Sequence, residues 1–256
     1  MPAETQDQFA ALNVRLQAFE IDRNALRFPF ASKVYASAAA ESLADDQSEI
    51  LVWIDRESLV IREPRQMLLK HGKKLACRPV DHILIGSPYD QPLDPYWEFV
   101  YHSCGVKESD IFPMITSADQ IKIRPYINAG MLVVRPEISL LRNWRDTFQR
   151  LYQDSCLMDF YQQNRLYEIF THQTILAGSI LSALKQAEIK ELNYLVNYPL
   201  HMHSQYPSDR RPKYINDLIS FRYETIFDDP DWGTAYPVRE PLKSWLAERV
   251  SRMTTE

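Results

Sequence analysis

The stretch Glu49-Ile50-Leu51-Val52-Trp53-Ile54-Asp55-Arg56-Glu57 indicates the fold class of this chain. Five consecutive apolar residues bounded by charge are typical of a buried strand in a parallel sheet. Ligands of such sheets bind just beyond the carboxyl ends of the strands, where Asp55 and Glu57 lie. Two residues apart in extended chain, these carboxylates point to the same side. Together they can bind a hard divalent cation.

The rest of the chain alternates helical patterns with short apolar runs. The spacing of apolar residues predicts helices at 7–20, 31–43, 96–104, 140–151 and 172–184, the last with Thr171 as its N-cap. Strands are predicted at 50–54, 75–77, 128–134 and 189–192. This alternation is typical of an α/β fold with a mostly parallel sheet. Asp81 and Asp94 fall between elements and are expected to be loop or cap residues.

Composition excludes several classes of protein. The net charge of −5 argues against a nucleic-acid-binding protein. The chain has six glycines and neither GxGxxG nor GxxxxGK[ST], which excludes a Rossmann dinucleotide loop and a P-loop. The three cysteines are widely spaced, so neither a zinc site nor a disulfide framework is expected. With no leader-like start and no apolar run of about 18 residues, no membrane span is expected and a cytoplasmic location is predicted.

Several segments occur in a characteristic order along the chain. They are Phe30-Ala31-Ser32-Lys33, Asp55-Arg56-Glu57, Asn128-Ala129-Gly130, His172-Gln173 and Asn197-Tyr198-Pro199-Leu200-His201-Met202-His203. In this order they resemble the motifs of nucleotide-diphospho-sugar transferases of the GT-A fold, especially the glycogenin-like, family 8-like glycosyltransferases. The similarity spans roughly residues 29–203.

The resemblance implies one GT-A-like α/β domain over residues 1–256, with a mostly parallel (mixed) sheet flanked by helices and an irregular extension over about 204–256. It implies transfer of a sugar from a nucleotide-diphosphate sugar to an unknown acceptor, with Mn²⁺ or Mg²⁺. The implied metal ligands are Asp55, Glu57 and one of His201 and His203. The implied donor contacts are Asn128, Ala129, Gly130 and Gln173, with Lys33 or Arg78 at the phosphates.

Three features depart from that family pattern. Arg56 and Glu57 change its acidic motif, and His172 stands where the family often has Asp. The family has two nucleotide-binding βα units, about a hundred residues, before the acidic motif, whereas 54 residues precede Asp55 here. These units are expected to be truncated. Three explanations stay open: an upstream start, a second copy or partner chain that completes the nucleotide site, or a non-catalytic relative.

Two other functions fit part of the pattern. Haloacid-dehalogenase-like phosphatases also place Asp-x-Asp after an apolar strand, and Asp228-Asp229 would be the late acidic pair. Glu57 is the wrong second residue for that motif, and no apolar strand precedes Asp228. A non-catalytic GT-A-like binding protein is the remaining alternative. Residue by residue, the simpler interpretation is that His201 and His203 are ordinary surface histidines and that Gly130 only relieves packing.

Overall fold

The computed structural model describes residues 3–44 and 47–253. The helices are α1 Ala3–Ala11, α2 Arg23–Leu26, α3 Ala31–Ala44, α4 Pro95–Cys104, α5 Leu140–Leu151, α6 Ser155–Gln163, α7 Arg165–Ala183, α8 Trp232–Ala235 and α9 Leu242–Met253. The strands are β1 Leu51–Ile54, β2 Ser58–Val60, β3 Leu75–Pro79, β4 Met114–Ile115, β5 Lys122–Ile123, β6 Ile127–Val134, β7 Ile189–Glu191, β8 Tyr198–Pro199 and β9 Ser220–Arg222. Short 3₁₀ helices, including Leu200–Gln205, connect several of them.

The central sheet has the strand order β1-β6-β3-β7. Strand β6 is antiparallel to both β1 and β3, and β3 is parallel to β7. Strands β1, β3 and β7 therefore run in one direction and β6 in the other. This arrangement confirms the predicted α/β class with a mixed sheet.

The core lies on both faces of this sheet because side chains alternate along its strands. Leu132 of β6 and the adjacent residues of β3 belong to the main apolar cluster, which also includes residues of α3, α4, α5 and α7. Trp97 and Trp144 are fully buried in this cluster. Met131 and Val133 point to the opposite face, into a smaller cluster. All eight residues of β6 are buried, as its apolar sequence predicts.

Strand β1 is an edge strand, which corrects the prediction that it is buried on both faces. It pairs only with β6 among the described strands. Val52 and Ile54 are 38% and 37% exposed, while Leu51 and Trp53 pack against the main core. A run of apolar residues does not distinguish these two environments, because burial depends on neighbours that are distant in sequence.

A second sheet, β2-β9-β8, connects the C-terminal part of the chain to the end of β1. Strand β2 pairs antiparallel with β9, and Tyr223 N then donates to Glu57 O at 2.9 Å. The residues after about 204, which sequence reasoning describes as irregular, thus include β9 and form a wall beside Glu57.

Two predicted helix boundaries are wrong. Helix α1 ends at Ala11, and Leu12, Leu16 and Phe19 lie beyond it with exposed side chains. Helix α7 begins at Arg165, where Asn164 Oδ1 accepts from Leu166 N at 2.9 Å and caps it. Thr171 is therefore buried within α7 rather than at its start. Helix α6 carries no pattern that sequence reasoning recognised.

Asp94 is the N-cap of α4, as one of its two predicted roles, since its Oδ1 accepts from Trp97 N at 3.1 Å. Cys77, Cys104 and Cys156 carry free thiols. Within the two described ranges, no helix combines the length and the hydropathy needed to cross a bilayer.

Candidate functional site

A cleft of about 470 Å³ opens at the carboxyl end of β1. The predicted site residues that line it are Lys33, Asp55, Glu57, Asn128, Gly130 and Gln173. They come from α3, the turn after β1, the first half of β6, and α7. The fold therefore gathers residues that are up to 140 positions apart into one concavity, because β6 is the neighbour of β1.

Asp55 is held on two sides at the end of β1. Its backbone N–H donates to Gly130 O at 2.9 Å, and Lys33 Nζ donates to its Oδ2 at 2.8 Å. A β-carbon on residue 130 would lie 2.7 Å from that same Oδ2 and 2.9 Å from Asn128 Oδ1. Contacts this short would force one or both side chains to move if residue 130 were larger than glycine, so Gly130 lets the carboxylate lie over the backbone of β6 as it does here.

The backbone of β6 is fixed by two side-chain amides. Asn128 Oδ1 accepts from Gly130 N at 2.8 Å, and Gln173 Oε1 accepts from Ala129 N at 3.1 Å. Ala129 is itself fully buried, so its part in the cleft is limited to the backbone. These bonds order the strand segment that the resemblance assigned to the donor.

His172 lines the same cleft from α7 and is a neutral imidazole. Burial and the nearby ammonium of Lys33 lower its pKa to about 3. Its Nδ1 donates to Ile169 O at 3.0 Å, and its ring lies 4.8 Å from the ring of Phe30, centroid to centroid. At the position where the family often has an acidic residue, this chain therefore presents an uncharged ring.

Arg78 does not line the cleft, which corrects its expected contact with phosphate. The side chain is 1% exposed. It donates to Asp81 Oδ1 at 2.9 Å and to the carbonyl oxygens of Val196 and Asn197 at 2.9 and 2.6 Å. A phosphate contact would require Arg78 to leave this buried network.

Asp81 is the centre of that network. The sequence analysis predicts only a loop or cap role for this residue. Its Oδ1 also accepts from Tyr206 at 2.5 Å, and its Oδ2 accepts from Arg222 at 3.1 Å. Arg222 and Glu224 line the cleft beside it. A three-residue strand such as β9 leaves too short a pattern to recognise, so no signal in the sequence identified these two residues.

His201 and His203, one of which the resemblance implies as a metal ligand, lie in the 3₁₀ helix Leu200–Gln205. Residues two apart in such a helix do not share a face. His203 Nδ1 is 3.1 Å from Tyr198 Oη, and His201 Nδ1 is 3.4 Å from Glu224 Oε1. Neither histidine lines the cleft.

The acidic side chains of the cleft are the candidate ligands for a divalent cation. Among residues 3–44 and 47–253, no three His, Cys, Asp or Glu side chains are close enough together to hold a metal ion. Asp55 and Glu57 nevertheless line one cleft, and Mg²⁺ is commonly held by one or two carboxylates plus substrate phosphates. Lys33 already places a cationic group on Asp55 Oδ2. Glu57 Oε1 is likewise 2.6 Å from Arg56 Nε, so both carboxylates have a cationic partner, and a metal ion on Asp55, Glu57 and a histidine stays a prediction.

No curated protein sequence matches the chain. Among solved structures, it is similar to an active-site mutant of LgtC, with 13% identity, a TM-score of 0.42, and coverage of 99% of this chain and 81% of that one. It is also similar to apo mouse xyloside xylosyltransferase 1, with 11% identity, a TM-score of 0.34, and coverage of 85% and 71%. The Rhodobacterales glycosyltransferase domain matches residues 1–183. Because this match spans more than half of the 256 residues, the chain belongs to the Rhodobacterales glycosyltransferase domain family.

Proposed function

We propose that this chain transfers a sugar from a nucleoside-diphosphate sugar to an acceptor hydroxyl, and that the cleft at the end of β1 binds the donor. Membership in a glycosyltransferase family supports the reaction class. The observation that carries the site is the Lys33–Asp55 pair placed directly over Gly130, with Glu57 lining the same cleft.

Lys33 would contact the diphosphate of the donor. The cleft also presents the carboxylates of Asp81 and Glu224 in addition to Asp55 and Glu57. Lys33 and Arg222 are the lysine and arginine side chains that line the cleft in the described part of the chain, and both are already paired with its carboxylates, so a doubly charged anion needs additional positive charge there. Mg²⁺ or Mn²⁺ held by Asp55 and Glu57 would supply it and would stabilise the negative charge on the departing nucleoside diphosphate.

The sugar would lie against the backbone of β6, where Gly130 has no side chain to keep a ligand away. Apolar side chains of Phe30, Leu84, Phe170 and Met202 complete the wall. A volume of about 470 Å³ is within the usual range for small-molecule sites. Glycosyl transfer passes through an oxocarbenium-like state, whose positive charge is favoured near carboxylates.

A non-catalytic nucleotide-binding protein is the second candidate. It is favoured because, among the described residues, no three His, Cys, Asp or Glu side chains are close enough together to hold a metal ion, and because His201 and His203 lie outside the cleft. A phosphatase of the haloacid-dehalogenase type has no comparable support, because Asp228 and Asp229 are not among the residues that line the cleft.

Release of nucleoside diphosphate distinguishes a transferase from a binding protein. UDP-glucose, UDP-galactose and GDP-mannose would each be incubated with the protein, Mg²⁺ or Mn²⁺, and a panel of methyl glycosides as acceptors. We expect release from at least one donor, lost in Asp55→Ala and retained in Asp90→Ala, a variant of an exposed residue outside the cleft. Binding without release from any donor would support the non-catalytic alternative. The same samples, measured by sedimentation with and without nucleotide, would show whether a second copy completes the site.

A further inference from the structure

A second groove borders the Lys33–Asp55 pair, between helix α3 and the free edge of β1. Its volume is about 560 Å³. Among the described residues, those that line both this groove and the cleft are Phe30, Lys33, Asp55 and Glu57. The other residues that line the groove are Phe19, Ser32, Ala36, Trp53, Ile54 and Arg56. The two concavities therefore meet at the charged groups to which the diphosphate of the donor is assigned.

This layout matches the order of the parts in a nucleoside-diphosphate sugar. The diphosphate lies in the middle of such a molecule, with the sugar on one side and the nucleoside on the other. The sugar is assigned to the cleft, beside Gly130, and the diphosphate to Lys33 and the adjacent carboxylates. The nucleoside then has to extend from these groups in another direction, and the second groove begins at the same groups.

Two phenylalanine rings give the groove surfaces on which a planar base can stack. Phe19 and Phe30 are 39% and 48% exposed. The ring of Phe30 packs on that of His172, tilted by 33°, and Lys33 Nζ lies 5.1 Å from its centroid. Phe30 has a φ of 58°, which a bulky residue rarely adopts, so its position is set by these surroundings. Exposed aromatic rings bind bases by stacking, whichever base is present.

The free edge of β1 adds polar backbone groups to the same groove. Asp55 N donates to Gly130 O, and in an antiparallel pair every second residue bonds to the partner strand. Trp53 therefore faces β6 as Asp55 does, and the backbone N–H and C=O groups of Val52 and Ile54 point to the free edge. Ile54 is exposed and lines the groove. Its backbone donor and acceptor suit the edge of a base, which carries both kinds of group.

We propose that the second groove binds the nucleoside part of the donor, with the base against Phe30 and Phe19 and its edge toward the backbone of Ile54. The inference rests on the proposed function, since it takes the diphosphate to lie at Lys33. The site is formed by α3, β1 and the segment between α1 and α2. Its ligand class is a pyrimidine or purine nucleoside diphosphate, free or joined to a sugar.

Calorimetric titration with UDP, GDP and inorganic pyrophosphate, each with Mn²⁺, separates the nucleoside from the diphosphate. We expect the wild-type protein to bind at least one of the two nucleotides more tightly than pyrophosphate. Phe30→Leu should weaken the binding of that nucleotide by about 5–150-fold, the range expected for the loss of one base–aromatic stack. Its affinity for pyrophosphate should not change, because pyrophosphate has no base.

Ala36→Leu tests the groove without removing an aromatic ring. Ala36 is a half-buried residue of α3, and a larger side chain there would fill part of the groove. This variant should also bind the nucleotide more weakly and pyrophosphate as the wild type does. Ala40→Leu is the matched control, since Ala40 is half-buried one helical turn further along α3 and lines neither concavity. It should change neither affinity.

The outcomes distinguish this inference from the proposed transfer reaction. Wild-type nucleotide affinity in both Phe30→Leu and Ala36→Leu would overturn the inference and leave the proposed transfer standing. Equal losses for nucleotide and pyrophosphate would also overturn it, because the variants would then disturb the phosphate site. A loss confined to the nucleotide, in a protein that releases no nucleoside diphosphate from any donor, would support the inference and overturn the transfer. No binding of either nucleotide by the wild-type protein would overturn both.

Discussion

Lys33 Nζ and Asp55 Oδ2 lie 2.8 Å apart and join helix α3 to the end of β1. Their side chains are 16% and 18% exposed, so the pair is mostly removed from water yet open to the cleft. Gly130 lies directly against the same carboxylate oxygen. The position of Asp55 is therefore set by a cation on one side and by the absence of a side chain on the other.

Replacing Gly130 with alanine should move Asp55 and weaken donor binding by at least about tenfold. The new β-carbon would meet Asp55 Oδ2 at 2.7 Å and Asn128 Oδ1 at 2.9 Å, and overpacking of this kind costs about 1–3 kcal/mol. Calorimetric titration with UDP and Mn²⁺ measures the binding, and urea unfolding measures the stability. Gly233→Ala is the matched control, because a β-carbon there meets nothing within 4 Å. Equal donor affinity in the Gly130 variant and the wild type would contradict this reasoning.

Replacing Lys33 with glutamine should distinguish the contribution of the Lys33 ammonium from that of the metal ion, the two cations proposed to contact Asp55. In this variant, which lacks the Lys33 ammonium, Mn²⁺ alone should bind several-fold more tightly. The reason is that Mn²⁺ no longer has to displace the partly screened Lys33–Asp55 pair, which contributes on the order of 1 kcal/mol, about fivefold in affinity. UDP without metal should bind more weakly, because Lys33 is the proposed phosphate contact. Lys122→Gln removes an exposed lysine paired with Asp90 and should change neither affinity. If Lys33→Gln also changes neither, the pair has no part in ligand binding.

His172 should make the folded protein less stable in mild acid. Its pKa is about 3 in the folded state and about 6.5 in an unfolded chain, so below pH 6.5 the unfolded chain binds a proton that the folded chain does not. The free energy of unfolding should therefore fall by about 1–2 kcal/mol more in the wild type than in His172→Gln between pH 7 and pH 5. Urea unfolding at pH 5, 6 and 7 measures this difference. Parallel pH profiles would show that His172 is accessible to protons, and His102→Gln should follow the wild type.

Removing the buried guanidinium of Arg78 should lower the stability of the fold and not only the affinity for a ligand. Arg78→Met leaves Asp81 with one cation fewer in a buried network, and breaking such a pair costs about 3–5 kcal/mol. Arg222 and Tyr206 still reach Asp81, which places the expected loss at the low end. The double variant Arg78→Met/Asp81→Asn should recover part of it, as urea unfolding would show. A loss under about 1 kcal/mol in the single variant would contradict a structural role.

Long, regular patterns in the sequence were the most informative about the fold. The apolar run of β6 predicted its strand, and the amphipathic spacing of residues 140–151 predicted α5. Asp55 and Gly130 were both selected from their local motifs, although only the pairing of β1 with β6 shows that they touch. Local motifs thus singled out residues that the fold brings together, where the strand that carries them could be recognised.

The remaining parts of the cleft depend on contacts between distant segments. Asp81 and Arg222 are 141 positions apart, and a three-residue pairing of β2 with β9 is what brings Arg222 to the cleft. His82 and Asp119 meet because two loops bond to each other, which no periodicity encodes. His201 and His203 lie in a 3₁₀ helix that no pattern in the sequence predicted, and this helix sets where their side chains lie.

Thermal unfolding with ligands tests the central claim most directly. The wild-type protein and Asp55→Ala would be heated with UDP, GDP and their sugar conjugates, each with and without Mn²⁺. A ligand that binds only the folded state at about 100 times its Kd adds about 2.7 kcal/mol, which is a rise of about 5–10 °C for a chain of this size. The account predicts a rise that requires both metal and nucleotide and that disappears in Asp55→Ala. No rise with any nucleotide, or the same rise in both proteins, would contradict it.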